Sequence, residues 1–348
     1  MTSSPPGAAM RAEIAEQPDV LARLLAEESG PIRSVAAELR RRSPRFVLFA
    51  ARGTSDHAAL YAKYLVELRL ELPCGLASPS TMTAYAGRPD LRDVLLVAVS
   101  QSGGSPDLVE TATVARDCGA TVLAVTNAPG SPLAAAADLG IDVRAGTELA
   151  VAATKSYTAE LLALWLLVDA WAGGDGAAAE GVPDVVRRRL DLLPEVERLA
   201  ARLGGTDRVV LTGRGYSYPT AREGALKLME TSYVAAHAFS GADLLHGPLA
   251  MLDEHHPVLA VVPDGAGARA MAPVLERLRG LGADLTVLGG PESVGPGSGS
   301  VLLEPALPEE LAPVADIVTL QQLALLLATG SGVDPDRPRG LAKVTETW

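Results

Sequence analysis

The feature that most restricts how this 348-residue chain can fold is a repetition: short apolar runs recur in the same order at one offset. Runs at residues 46–51, 94–99 and 122–126 return at 209–212, 258–262 and 285–288. Arg52-Gly53-Thr54-Ser55 follows the first run, and Arg214-Gly215-Tyr216-Ser217 follows its counterpart. Leu95-Leu-Val-Ala-Val99 is echoed by Val258-Leu-Ala-Val-Val262, and Thr121-Val-Leu by Thr286-Val-Leu. Three coincidences at an offset of 162–165 residues imply an internal duplication. Each run is wholly apolar and separated from the next by a helix-length segment, the pattern of a parallel sheet covered on both faces. The expectation is an α/β protein with two tandem, doubly wound, flavodoxin-like parallel sheets. Residues 1–9 read as a disordered tail, 10–185 as the first subdomain with helix over 10–42, and 186–348 as the second with a C-terminal tail. The stretches 173–184 and 289–300 read as a linker or mobile loop and a surface loop.

Charge and composition narrow the partners. Thirty Lys and Arg against 42 Asp and Glu leave a net charge of −12, and no basic cluster relieves it, so nucleic acid is an unsuitable partner. Apolar runs such as 161–168 are short of the roughly 20 residues a bilayer requires, and no membrane partner is expected. The start, MTSSPPGAAM, lacks the charged and apolar regions of a secretory signal. Cys74 and Cys118 form no CxxC, which fits a cytoplasmic location. The five histidines show no HxxxH or HExxH spacing, and no metal site is expected.

The run at 94–99 leads directly into Ser100-Gln101-Ser102-Gly103-Gly104-Ser105-Pro106. Ser105 suits a helix N-cap and Pro106 the first helical position. Hydroxyls, glycines and free helix amides thus converge after a strand's carboxyl end, where anionic ligands bind in doubly wound sheets. With no Walker-type lysine, a single phosphate held by neutral donors fits better than a triphosphate. The equivalent Pro263-Asp264-Gly265-Ala266-Gly267 has no serine, which suggests one phosphate site per chain. Thr54 and Ser55 belong near the serine turn if their strands are neighbours. Helix capping accounts equally well for any of these hydroxyls taken singly.

A helix starting at Pro219 places Glu223, Lys227 and Glu230 at i, i+4 and i+7 on one face. That face is either a solvated one with a weak Glu–Lys pair or a lysine-supported general base. His246, in Leu244-Leu245-His246-Gly247-Pro248, is either structural or a proton carrier suited to neutral pH. Lys343 in the tail reads, by composition, as surface decoration.

The chain resembles the sugar isomerase (SIS) domain family, in particular the isomerase half of glucosamine-6-phosphate synthase and stand-alone SIS-type glucosamine-6-phosphate deaminases. The matching stretches are MRAEIAEQP (10–18), ARGTSDHA (51–58), VSQSGGSPD (99–107), ELAVAATKSYT (148–158), GRGYSYPTAREGALKLMETSY (213–233), HGPLAM (246–251) and DPDRPRGLAKVT (334–345). The resemblance implies that Thr54, Ser55, Ser100, Gln101, Ser102 and Ser105 hold a sugar phosphate. It implies Glu230 as the base moving a proton between C1 and C2, supported by Lys227, and His246 as the aid to ring opening. In the family that histidine comes from a neighbouring subunit, so a homodimer is expected. Lys343 is implied to approach the ketose carbonyl, with a Schiff base as one form of that role.

Departures from the synthase pattern shift the expected reaction. The chain begins Met1-Thr2 without the glutaminase cysteine, and it has Leu245 where the synthase pattern has lysine and Ala153 where it has serine. The expected reaction is glucosamine 6-phosphate plus water giving fructose 6-phosphate and ammonia, without cofactor. Two alternatives remain at this stage: a fructosamine-6-phosphate deglycase, and a non-catalytic sugar-phosphate sensor.

Overall fold

The protein is described by a computed structural model covering residues 5–294, 300–304 and 306–343. Residues Asp19–Glu148, Lys155–Glu180 and 341–343 make a first lobe; residues 5–18, Leu149–Thr154 and Gly181–Gly340 make a second. Helix α1 (Ala8–Arg42) contributes its residues up to Pro18 to the second lobe and the rest to the first.

The first lobe runs β1 (Phe46–Ala50), α2 (Gly53–Leu65), β2 (Cys74–Leu76), α3 (Ser80–Thr83), β3 (Val94–Ser100), α4 (Pro106–Asp117), β4 (Thr121–Thr126), α5 (Pro132–Ala136), β5 (Leu139–Asp142) and α6 (Lys155–Trp171). Its strands pair in parallel in the order β2-β1-β3-β4-β5. The second lobe runs α7 (Val182–Leu190), α8 (Leu193–Leu203), β6 (Arg208–Gly213), α9 (Ser217–Ser232), β7 (Ala235–Ser240), α10 (Gly241–Leu245), β8 (Pro257–Val262), α11 (Ala266–Gly280), β9 (Asp284–Gly289), β10 (Val301–Leu302) and α12 (Ala312–Gly330). Its order, β10-β9-β8-β6-β7, is the first sheet's order repeated. The expected duplicated, doubly wound architecture is present.

Packing explains why this pattern folds so. Leu96, Ala98, Val122 and Ala124 of the first sheet bury against Leu108 and Ala112 of α4. Val258, Ala260 and Val262 of the second bury against Met271, Val274 and Leu278 of α11. Strands covered on both faces need no polar alternation, so they read as continuous apolar runs. Helices α6 and α12 each follow their sheet's fifth strand and are buried along nearly their whole length, which explains why they are apolar all round. Among the described residues, α12 is the one helix long and apolar enough to cross a bilayer, and 89% of that stretch is buried inside the protein.

Several sequence expectations need correction. Of the expected disordered tail 1–9, residues 1–4 lie outside the described residues, but Ala8 and Ala9 are helical. Gly7 and Ala9 donate backbone N–H groups to Asp334 Oδ1 (3.0 Å) and Asp336 Oδ2 (2.8 Å), so acceptors distant in sequence order this segment. The expected linker 173–184 ends inside α7, which opens at Val182 with Pro183 in its first turn. Helix α9 starts at Ser217, two residues before Pro219. Of the expected loop 289–300, residues 295–299 lie outside the described residues.

Candidate active site

In the first sheet β1 pairs with β3, and their onward connections leave in opposite directions, to β2 and to β4. This is the switch point at which doubly wound sheets open a crevice at their carboxyl ends. Thr54 and Ser55 stand in the first turn of α2, which follows β1; Ser100 ends β3, and residues 101–105 make the turn that leads into α4.

The serine turn is held from inside. Ser100 Oγ accepts the Gly103 N–H (3.1 Å) and Ser102 Oγ accepts the Gly104 N–H (3.3 Å). Each hydroxyl therefore keeps its own proton to donate. The Gln101 carbonyl accepts from the Asn127 N–H at 3.1 Å, which ties the turn to the end of β4. Ser105 stands at the N-cap of α4 as expected, with Pro106 in the first turn, yet its side chain makes no capping hydrogen bond. Gly103 has φ +59°, and a Cβ there would lie 2.1 Å from Ser131 Oγ, so the turn requires glycine on both counts. Thr54 is half-buried near the start of α2, and Ser55 is buried with its hydroxyl donating to Glu160 Oε1 at 2.9 Å. That proton is committed, so what Ser55 has to offer an anion is its backbone in the first turn of α2.

Two carboxylates stand in the first turns of these helices, Asp56 on α2 and Asp107 on α4. Asp107, in the first turn of α4, is buried, and the Arg52 guanidinium meets its Oδ2 through Nε (2.9 Å) and through an Nη (2.8 Å). Arg52 thereby neutralises a charge that would oppose phosphate. Lys343 also belongs to this lobe: its Nζ donates to Glu148 Oε2 at 2.8 Å. Glu148 is buried and accepts in addition from the Ser156 N–H (3.1 Å) and hydroxyl (2.7 Å).

Glu223, Lys227 and Glu230 meet on α9 in the second lobe. Lys227 is fully buried, with Nζ 3.2 Å from Glu223 Oε1 and 2.6 Å from Glu230 Oε2. Burial on its own would lower this ammonium's pKa; the two carboxylates more than reverse that, and the net direction is upward. Glu223 is fully buried, whereas the Glu230 side chain keeps 22% of its surface exposed. The solvated-face reading of this spacing is thus excluded: the face is turned inward, with only its last carboxylate reaching the surface. Glu230 stands in the last turn of α9, about 20 Å along the axis from Ser217 at 1.5 Å per residue. It therefore lies away from the carboxyl end of its own sheet, at which α9 begins. His246 follows α10 and is exposed.

The structure thus gathers the hydroxyl-bearing turns in the first lobe, with Lys343 on Glu148 in the same lobe, and it joins Lys227 to Glu230 in the second. Sequence reasoning missed Arg52, Asp107, Glu148, Ser156 and Glu160. Four of them sit inside the matched stretches ARGTSDHA, VSQSGGSPD and ELAVAATKSYT, and that adjacency was the available signal.

Comparison with known proteins adds findings of three kinds. A family model described as the SIS domain matches residues 42–170 and 203–327. Over 346 residues the chain is 37% identical to the glutamine–fructose-6-phosphate aminotransferase (isomerizing) of Thermococcus kodakarensis, covering 96% of this chain and 57% of that protein. The chain spans about half the length of the curated relatives it matches. Among solved structures, the C-terminal domain of glucosamine-fructose-6-phosphate aminotransferase from Francisella tularensis is 28% identical, with a TM-score of 0.86, over 95% of this chain and 98% of that one. The glucosamine-6-phosphate deaminase of Thermotoga maritima has a TM-score of 0.76 over 98% of this chain and all of its own, but at 22% identity the likeness is one of fold alone.

Proposed function

Because the chain belongs to the SIS domain family, we propose that it converts glucosamine 6-phosphate and water to fructose 6-phosphate and ammonia. The observation that carries this reading is the surface-reaching Glu230 carboxylate, fixed by a fully buried ammonium on the same helix. A sensor needs only a phosphate cradle; a carboxylate positioned in this way supplies proton transfer.

In this mechanism Thr54, Ser55, Ser100, Gln101, Ser102 and Ser105 bind the phosphate, with hydroxyl protons and helix amides as neutral donors. His246 assists opening of the pyranose to the aldehyde, and its exposure leaves it available to the active site of a second copy in a homodimer. Glu230 removes the proton from C2 and returns it to C1 through an enolamine, which leaves an imine at C2. Water adds to C2 and ammonia departs, so the atoms balance without an added oxidant or reductant. Lys227 compensates the charge of Glu230, and Lys343 approaches C2 as a proton donor. General acid–base assistance typically gives about 10²–10⁴ in rate. Binding energy from the phosphate holds the open chain in register for the transfer.

The test is to supply purified protein with glucosamine 6-phosphate and to measure ammonia and fructose 6-phosphate separately. Equimolar release that is lost in Glu230→Gln, while the variant still binds fructose 6-phosphate, is the expected result. Binding of fructose 6-phosphate without any release by the wild type would overturn the reading in favour of a sensor or a deglycase.

A further inference from the structure

Because the two sheets repeat one strand order, the carboxyl end of β8 in the second lobe corresponds to that of β3 in the first. In the first lobe this end is the serine turn, and α4 begins there without a side-chain cap from Ser105. In the second lobe the corresponding helix, α11, begins with a carboxylate already seated on it. Glu309, from a segment more than forty residues further along the chain, accepts the Ala266 N–H on Oε2 and the Gly267 N–H on Oε1, each at 2.7 Å. Two oxygens of one anion on two successive amides is the arrangement by which a helix N-terminus holds an oxyanion.

The backbone is shaped around this carboxylate. Gly265 has φ +144°, and a Cβ there would lie 2.3 Å from Glu309 Oε2. A Cβ on Gly267 would lie 2.8 Å from Oε1 and 3.0 Å from the Arg214 carbonyl oxygen. Asp264 is turned elsewhere: its carboxyl packs against Gly290, and its Oδ1 is buried without a partner. The anion on α11 is therefore Glu309 and not the aspartate beside it in sequence.

We propose that Glu309 is an anion carried by the chain itself, occupying in the second lobe the position that the serine turn offers to phosphate in the first. The chain then presents one open phosphate site and one closed by its own carboxylate. The proposal deepens the functional reading above and rests on it for the chemistry of the ligand, a phosphate monoanion or dianion.

Removing the carboxylate opens the second position. The full chain is titrated with inorganic phosphate by calorimetry at low salt. Wild type is expected to bind one phosphate per chain, and Glu309→Ala two, the added one weakening as salt is raised. The double variant Ser102→Ala/Ser105→Ala loses the first phosphate, and the triple variant with Glu309→Ala keeps the second. Failure of the serine-turn reading would thus appear as a missing first phosphate in wild type, distinct from failure of the proposal. Glu309→Ser, which also vacates the two amides but keeps a polar side chain, gives the same gain if the alanine variant does not fold. A folded Glu309→Ala or Glu309→Ser protein that binds no more phosphate than wild type overturns the proposal, and so does wild type binding two.

Discussion

Replacing Lys227 by methionine keeps most of the side chain's length and removes its ammonium. In the native protein this ammonium lies 3.2 Å from a fully buried carboxylate, Glu223, and 2.6 Å from a partly exposed one, Glu230. Deleting one member of a buried ion pair leaves the other charge desolvated and uncompensated, which costs about 3–5 kcal/mol. At about 2–4 °C per kcal/mol for a lobe of this size, the melting temperature should fall by roughly 6–20 °C. Urea unfolding gives the free energy, and hydrogen exchange at the amides of α9 localises the loss. The partner variant Lys227→Met/Glu223→Leu removes both buried charges and should recover most of that loss, because an apolar pair of similar volume is often no less stable than a buried ion pair. The pH dependence gives a further test. Lys227 titrates above its ordinary 10.5 in the folded protein, so its stabilisation is complete below about pH 10.5 and is lost as pH rises beyond that. The difference between wild type and Lys227→Met should therefore shrink as pH rises above about 10.5. A single variant within about 1 kcal/mol of wild type, or a double variant no better than the single, would refute the reasoning.

Two further outcomes follow from the geometry. Gly103→Ala forces a side chain into the left-handed region and onto Ser131 Oγ, a strain of about 1–3 kcal/mol; it should lower the melting temperature and raise the KM for a phosphorylated sugar, and an unchanged KM would remove the turn from the phosphate site. Asp316, buried beside Arg189, is pushed up from 3.8 to about 6 by burial, with the guanidinium opposing. An acid raised on folding loses stability as pH rises from about 4 through 6, by about 3 kcal/mol at 1.36 kcal/mol per pKa unit, and Asp316→Asn should abolish that slope in urea melts collected across the range.

The strands visible in the sequence and those that escaped notice divide on a physical line. The six runs read from hydropathy became β1, β3, β4, β6, β8 and β9, the three inner strands of each sheet. The four missed, β2, β5, β7 and β10, are the edges. There one side faces no neighbouring strand, and segments such as Leu139-Gly-Ile-Asp142 or Ala235-Ala-His-Ala-Phe-Ser240 carry polar and small residues. The serine turn was legible because its function and its local structure use the same residues. The spacing of Glu223, Lys227 and Glu230 correctly gave one face, but spacing alone does not say whether a face is buried, and it placed no limit on how far Glu230 stands from the sheet's ligand end. Glu148, Glu160 and Glu309 act through partners that are distant in the chain or contributed by backbone amides, and neither leaves a local pattern.

The amides of Gly7, Ala9 and Met10 end on the carboxylates of Asp334 and Asp336, partners 326 or 327 residues away. On a ribosome adding about 5–20 residues per second, those acceptors appear roughly 16–65 s after the groups they hold. Through that interval the first turns of α1, whose Met10 and Ile14 are buried in the finished protein, are without their permanent acceptors. The first lobe's β-strands are all translated meanwhile, so its sheet can assemble while the second lobe still lacks most of its chain. Synthesis therefore imposes an order on the two copies of the fold that their matching topology does not: the later copy closes by capturing a segment made before the earlier one.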